Sequence, residues 1–152
     1  MSYMQKQEGK NTDRYYVVNK EKTDKEYYVC RSTWEQKFFK WLDHNKNILK
    51  WSSEPLAVPY FDPVTNKDRR YYPDVLAKVK TKDNKEKVYL IEIKPYKETV
   101  LPKKTKNKTN KTMLYEQKTW LTNTHKWKSA IRFCKKRGWE FKIITEKDLF
   151  GN

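Results

Sequence analysis

The chain has 152 residues, with 35 Lys and Arg against 19 Asp and Glu, giving a net charge of +16 at pH 7 and a pI of about 9.7. That length fits one domain with a real core, and six Trp, eleven Tyr and six Phe supply large buried areas although only 36% of residues are apolar. The positive excess points to a polyanion as partner, nucleic acid before a membrane surface. No apolar run reaches transmembrane length and no signal peptide opens the chain.

Residues 1–29 are polar and charged, with Tyr15–Val18 and Tyr27–Val29 as their only apolar patches, and read as a partly disordered arm that docks through those patches. Residues 30–152 read as one domain. A helix is predicted over Thr33–His44, burying Trp34, Phe38, Trp41 and Leu42, with Ser32 and Glu35 forming a capping box. Short strands follow at Ile48–Trp51 and Leu56–Tyr60, and Asp62-Pro63 with Thr65-Asn66-Lys67 marks a turn. Glu54, in Ser-Ser-Glu-Pro, reads as a turn residue. A β-hairpin is then predicted from Tyr71–Val79 and Val88–Lys94 around Asp83-Asn84.

Residues 96–111 read as a flexible basic loop. It carries Lys97 and then Lys103, Lys104, Lys106, Lys108 and Lys111, placed to contact phosphates unless they are merely solvated. Arg69 and Arg70, at the entrance to the hairpin, are equally candidates for phosphate contact or solvated residues. Two helices are predicted next, Met113–Leu121 and Asn123–Lys136, the second capped by Asn123 and burying Trp127, Ala130, Ile131 and Cys134. Gly138 ends it, a strand follows over Trp139–Ile144, and Glu146–Phe150 makes a last helical turn. Cys30 and Cys134 lack metal-ligand spacing and read as reduced packing residues of a cytosolic protein.

The chemistry concentrates in the hairpin. Strand side chains alternate, so Tyr89, Ile91 and Ile93 share one face while Leu90, Glu92 and Lys94 share the other. Asp74, on the partner run after Pro73, can be brought beside Glu92. Two carboxylates and the main-chain carbonyl of Ile93 suit a hard cation, with Lys94 placed to orient a water and offset phosphate charge. The alternative is a solvated amphipathic strand, because Glu-x-Lys triplets are common.

Tyr72-Pro73-Asp74 followed by Ile91-Glu92-Ile93-Lys94 resembles the motif of the PD-(D/E)xK nucleases. Within that superfamily the chain resembles the small head-completion nucleases of tailed bacteriophages and, more distantly, the endonuclease subunit of Tn7-type transposases. Arg31-Ser-Thr-Trp-Glu35, Trp51-Ser-Ser-Glu54 and Arg137–Glu146 extend the likeness over about Arg31–Leu149. The resemblance implies an α/β fold with a restriction-endonuclease-like core, a mixed central sheet flanked by helices. It implies a deoxyribonuclease using Mg²⁺, with Mn²⁺ as the alternative and no small-molecule cofactor. Asp74 and Glu92 would be metal ligands, Lys94 the water's partner, and Glu35 an auxiliary carboxylate if it is not simply a helix cap. It further implies action on packaged DNA during head completion, in the host cytoplasm or on the virion, alongside head and neck proteins. Two other readings stand: a non-catalytic basic DNA-binding component of the virion, and a transposon-end or junction-cleaving nuclease on the same core.

Overall fold

The computed structural model describes residues 14–150. The chain runs through β1 (Arg14–Tyr16), β2 (Tyr27–Val29), α1 (Thr33–His44), β3 (Ile48–Ser53), β4 (Val58–Asp62) and β5 (Lys67–Tyr71). It continues through β6 (Val75–Lys80), β7 (Glu86–Ile93), α2 (Asn110–Arg137), β8 (Glu140–Ile144) and α3 (Glu146–Leu149). The central sheet has the order β3-β6-β7-β8; its first three strands are antiparallel, and β8 joins β7 in parallel. A parallel pair needs a long crossover, which α2 supplies.

Alternation along the strands divides the core in two. Val75, Ala77, Ile91 and Ile93 face Phe38, Phe39 and Leu42 of α1. Leu90 and Leu76 face the other way, towards Trp127, Ala130 and Cys134 of α2 and Tyr60 and Tyr71 of the separate β4–β5 hairpin. Cys30 and Cys134 are free thiols buried in opposite clusters. No helix among the described residues is long and apolar enough to cross a membrane.

Several sequence expectations change here. Residues 14–29 dock through the two apolar patches and do so as ordered strands: β1 and β2 pair antiparallel and bury Tyr15, Val17 and Tyr28 against α1. Asp43, near the end of α1, anchors them by accepting from the Tyr15 hydroxyl (2.5 Å) and from the N–H groups of Val18 (2.8 Å) and Asn19 (3.0 Å). Lys22 Nζ caps the same helix end, donating to the carbonyls of Asp43 (2.8 Å) and Asn45 (2.7 Å). The remainder of the expected arm, residues 1–13, lies outside the described residues.

The two expected helices after the basic loop are one. No Gly or Pro interrupts Asn110–Arg137, and Asn123 is buried in mid-helix and caps nothing. The actual N-cap is Thr109, whose side chain accepts from the Thr112 N–H; Gly138, at φ 72°, ends the helix in the left-handed region that glycine adopts without strain. Trp41 and Ile131 are about half exposed, and Phe39 fills the inner face of α1 instead. The expected run Tyr71–Val79 is also split. Tyr71 ends β5, Pro73 interrupts the chain with no N–H to donate, and β6 begins only at Val75.

Candidate active site

The β6–β7 ladder sets the site. Val75 pairs with Ile91, so one further step places Asp74 opposite Glu92, and Lys94 follows Glu92 on the same face. The Asp74 Oδ2 accepts from the Ile93 N–H at 2.7 Å, which ties the chain ahead of β6 to the end of β7. Tyr71, arriving from β5, donates its hydroxyl to Glu92 Oε1 at 2.8 Å. Lys94 Nζ lies 3.7 Å from Glu92 Oε2, while the Lys94 N–H bonds the Ile144 carbonyl at 2.9 Å and fixes that residue against β8. Asp74, Glu92 and Lys94 are each 3% exposed or less.

Glu35 comes from the first turn of α1 and is 1% exposed. Its two oxygens differ in their surroundings. Oε1 accepts from the Arg31 N–H (2.8 Å) while Ser32 Oγ accepts from the Glu35 N–H (3.1 Å), so the helix start is capped. Oε2 is buried and has no hydrogen-bond partner. The Glu35 charge also reaches Asp74 and contributes to the rise in its pKa. Burial first, then the charge of Glu92, pushes Asp74 well above the usual carboxylate range, and burial raises Glu35 as well.

Glu92 has the Lys94 ammonium beside it, whereas Asp74 and Glu35 are raised by burial and by neighbouring acids. Among the described residues no three Asp, Glu, His or Cys side chains form a complete metal-ligand set. Mg²⁺ does not require one, because it takes one or two carboxylates and keeps several waters. The two carboxylates of Asp74 and Glu92, all-oxygen donors, fit such a cation, and Glu35 does not complete a three-carboxylate set with them.

Two further charged groups join the site, and the sequence reading missed both. Lys126, on α2, has its ammonium 5.9 and 5.7 Å from the ring centres of Tyr60 and Tyr71. Burial, then the neighbouring Lys94, lowers its pKa, while Glu92 raises it. Nothing local distinguishes Lys126 from the other lysines of that helix. Glu98 is influenced by Lys94 and Glu92, and burial raises it to about 7. It did carry a signal, as the one acid between Pro95 and Lys111.

The expected phosphate contacts separate into two groups. Arg70, Lys97, Lys103, Lys106 and Lys111 are exposed. Arg69 is turned back onto Asp62 (3.4 Å) and Thr65 (3.1 Å). Lys104 Nζ donates to the Lys108 carbonyl (2.6 Å), and Lys108 Nζ to the Lys103 carbonyl (2.7 Å) and to Glu116 (2.7 Å). Those two lysines brace the loop against itself and α2.

This arrangement has known relatives. Residues 45–146 match the family described as TnsA-like endonuclease N terminal. Over 152 residues the chain is 40% identical to the "Head completion nuclease" of Enterobacteria phage T4, covering 98% of this chain and 95% of that protein. The chain belongs to this endonuclease family. The mixed four-stranded sheet with its flanking helices is accordingly a nuclease fold of the TnsA-like type. Asp74, Glu92 and Lys94 all fall inside the family match; Glu35 lies ahead of it, within the region shared with the phage head completion nuclease.

Proposed function

We propose that this homologue of the head completion nuclease is a divalent-metal-dependent deoxyribonuclease that hydrolyses phosphodiester bonds of phage DNA when a filled head is made ready for its tail. The observation that carries the reading is the burial of Asp74 opposite Glu92, with Lys94 on the same face. It acts in the host cytoplasm or on the virion, where head or neck proteins would bring it to its DNA.

Asp74, Glu92 and the Ile93 carbonyl would hold Mg²⁺ or Mn²⁺, with Glu35 as an auxiliary carboxylate. When bound, the cation supplies Lewis acidity, charge neutralisation and an acidified water. The chain's own groups do the positioning. Tyr71 fixes the Glu92 carboxylate through its hydroxyl, and Ile93 N–H fixes Asp74, as outer partners commonly orient metal ligands. Lys94 orients the attacking water and neutralises charge on the phosphate, and Lys126 adds a second cation on the α2 side. Exposed Arg70, Lys97, Lys103, Lys106 and Lys111 grip the DNA backbone without reading its sequence.

A purely DNA-binding virion component would need the lysines but has no use for two mutually repelling acids in a buried site. The test is incubation with linear and supercoiled DNA in Mg²⁺ or EDTA, followed by mapping of the ends. Cleavage in Mg²⁺ that EDTA abolishes and Lys94→Ala strongly reduces is the expected result. Wild-type cleavage by purified Lys94→Ala would remove that lysine from the mechanism, and ends confined to transposon termini or junctions would move the protein to a different substrate.

A further inference from the structure

Two stretches of sequence, Arg31–Glu35 and Trp51–Glu54, meet at the end of the sheet that carries Asp74 and Glu92. Ser53 of β3 pairs with Val75, which pairs with Ile91, so the next row across the sheet runs Glu54, Asp74, Glu92. The Glu54 N–H donates to the Asp74 carbonyl at 2.9 Å and ties residue 54 to the strand beside it. Arg31 arrives from the α1 side, where its N–H donates to Glu35 Oε1 at 2.8 Å. The Arg31 guanidinium then donates through Nη2 to Glu54 Oε1.

The backbone at Glu54 is left-handed, with φ 46°, a conformation that glycine adopts freely and glutamate does not. Pro55 follows and biases residue 54 towards extended backbone, so the local sequence opposes the conformation. A half-exposed ion pair returns less than such a backbone costs, so stability does not account for the arrangement. Strained residues of this kind collect at functional sites, where the surrounding structure holds a side chain in place.

The side chain held here is the Arg31 guanidinium. It is 48% exposed, and one carboxylate oxygen occupies only part of its five N–H donors. The rest of its rigid fork matches the oxygens of a phosphate. We propose that Arg31 grips a backbone phosphate adjoining the cleaved one, and that Glu54 positions its guanidinium to do so. A DNA strand crossing this end of the sheet is then held from the α1 side by Arg31 and from the α2 side by Lys126. The inference rests on the nuclease reading for its substrate.

The test is DNA binding in EDTA at several salt concentrations, with cleavage in Mg²⁺ at saturating DNA, for wild type, Arg31→Gln, Arg31→Lys and Glu54→Gly. Arg31→Gln keeps the main-chain N–H on Glu35, so the start of α1 is undisturbed. It should flatten the slope of log affinity against log salt by about 0.9, the counterion release of one phosphate contact. Its cleavage at saturating DNA should fall about tenfold or more, as expected when a substrate is slightly misplaced. Arg31→Lys should recover the slope but only part of the rate, because an ammonium keeps the charge and lacks the fork. Glu54→Gly relieves the backbone, so it should melt no lower than wild type and yet cleave more slowly. A purely stabilising ion pair predicts the reverse, a lower melting temperature with an unchanged saturated rate. An unchanged salt slope in Arg31→Gln would overturn the phosphate contact, and wild-type cleavage by Glu54→Gly would overturn the role of Glu54. Cleavage by the wild type that Arg31→Gln matches rejects this proposal alone, whereas a slope flattened in Arg31→Gln with no cleavage by the wild type rejects the nuclease reading and leaves the phosphate contact standing.

Discussion

Asp74 faces Glu92 across the end of the β6–β7 ladder, and burial together with that neighbouring charge raises Asp74 well above the usual carboxylate range. Asp74→Asn keeps the shape and removes one charge. Cleavage should fall about a hundredfold or more, while metal-free DNA binding persists or tightens because a charge repelling phosphate has gone. Without a divalent cation the folded state should be as stable as wild type or more so, since the repulsion is relieved. Cleavage rates and thermal melts on the same preparation check this. Full activity in a well-folded Asp74→Asn would rule out a ligand role.

Glu35 permits a cleaner separation, because one oxygen caps α1 and the other is unpartnered. A Gln in its place can still accept from the Arg31 N–H, as Gln does in capping boxes. Glu35→Gln should therefore retain stability and lose cleavage, whereas Glu35→Ala should lose cleavage and about 1 kcal/mol of stability as well. If Glu35→Gln cleaves like wild type, the residue is a cap and nothing more.

Local pattern makes part of this site legible. Period-two alternation places Glu92 and Lys94 on one face, and Ser32 with the apolar spacing of α1 defines that helix to its ends. Asp74 is harder to place, because its position depends on the register of a ladder that starts only at Val75. Other features have no local signature. The β1–β2 hairpin is held by Asp43, which is 25 residues from Val18 and 28 from Tyr15 in sequence. Lys126 reaches the site only because α2 is continuous through Asn123, and Glu98 only because its loop folds back onto that helix. The split at Pro73 is written in the sequence but is masked by the β-rich composition on either side.

The bracing of Lys104 and Lys108 changes which lysines should matter for DNA affinity. Replacing exposed Lys103, Lys106 and Lys111 with Gln should weaken binding to all sequences alike. It should also flatten the dependence of log affinity on log salt by about 0.9 for each phosphate that is no longer neutralised. Lys104→Gln and Lys108→Gln should instead act by loosening the loop. Titrations of each variant at several salt concentrations separate these effects; an unchanged slope in the triple variant would mean those lysines do not touch phosphate.

The last prediction concerns the N-terminal hairpin and has nothing to do with cleavage. Asp43 is fully buried and accepts three hydrogen bonds that join residues 15–19 to the end of α1. Burial alone would raise its pKa, but the bonds from Tyr15, Val18 and Asn19 together outweigh it and hold the group below its ordinary 3.8. A carboxylate whose folded value is depressed stabilises the fold above its unfolded value, and that stabilisation is lost as pH falls through the folded value. Asp43→Ala strands three donors and should cost about 3 kcal/mol near neutral pH. Asp43→Asn keeps an acceptor but loses the charge, so it should cost less. The gap between wild type and Asp43→Asn should narrow as pH falls below 3.8, where the wild-type carboxylate becomes protonated too. Urea unfolding curves for the three proteins, taken near neutrality and again in acid, measure it. A gap that stays constant with pH would mean the charge on Asp43 contributes nothing, and that the hairpin is held by its hydrogen bonds and by the burial of Tyr15, Val17 and Tyr28.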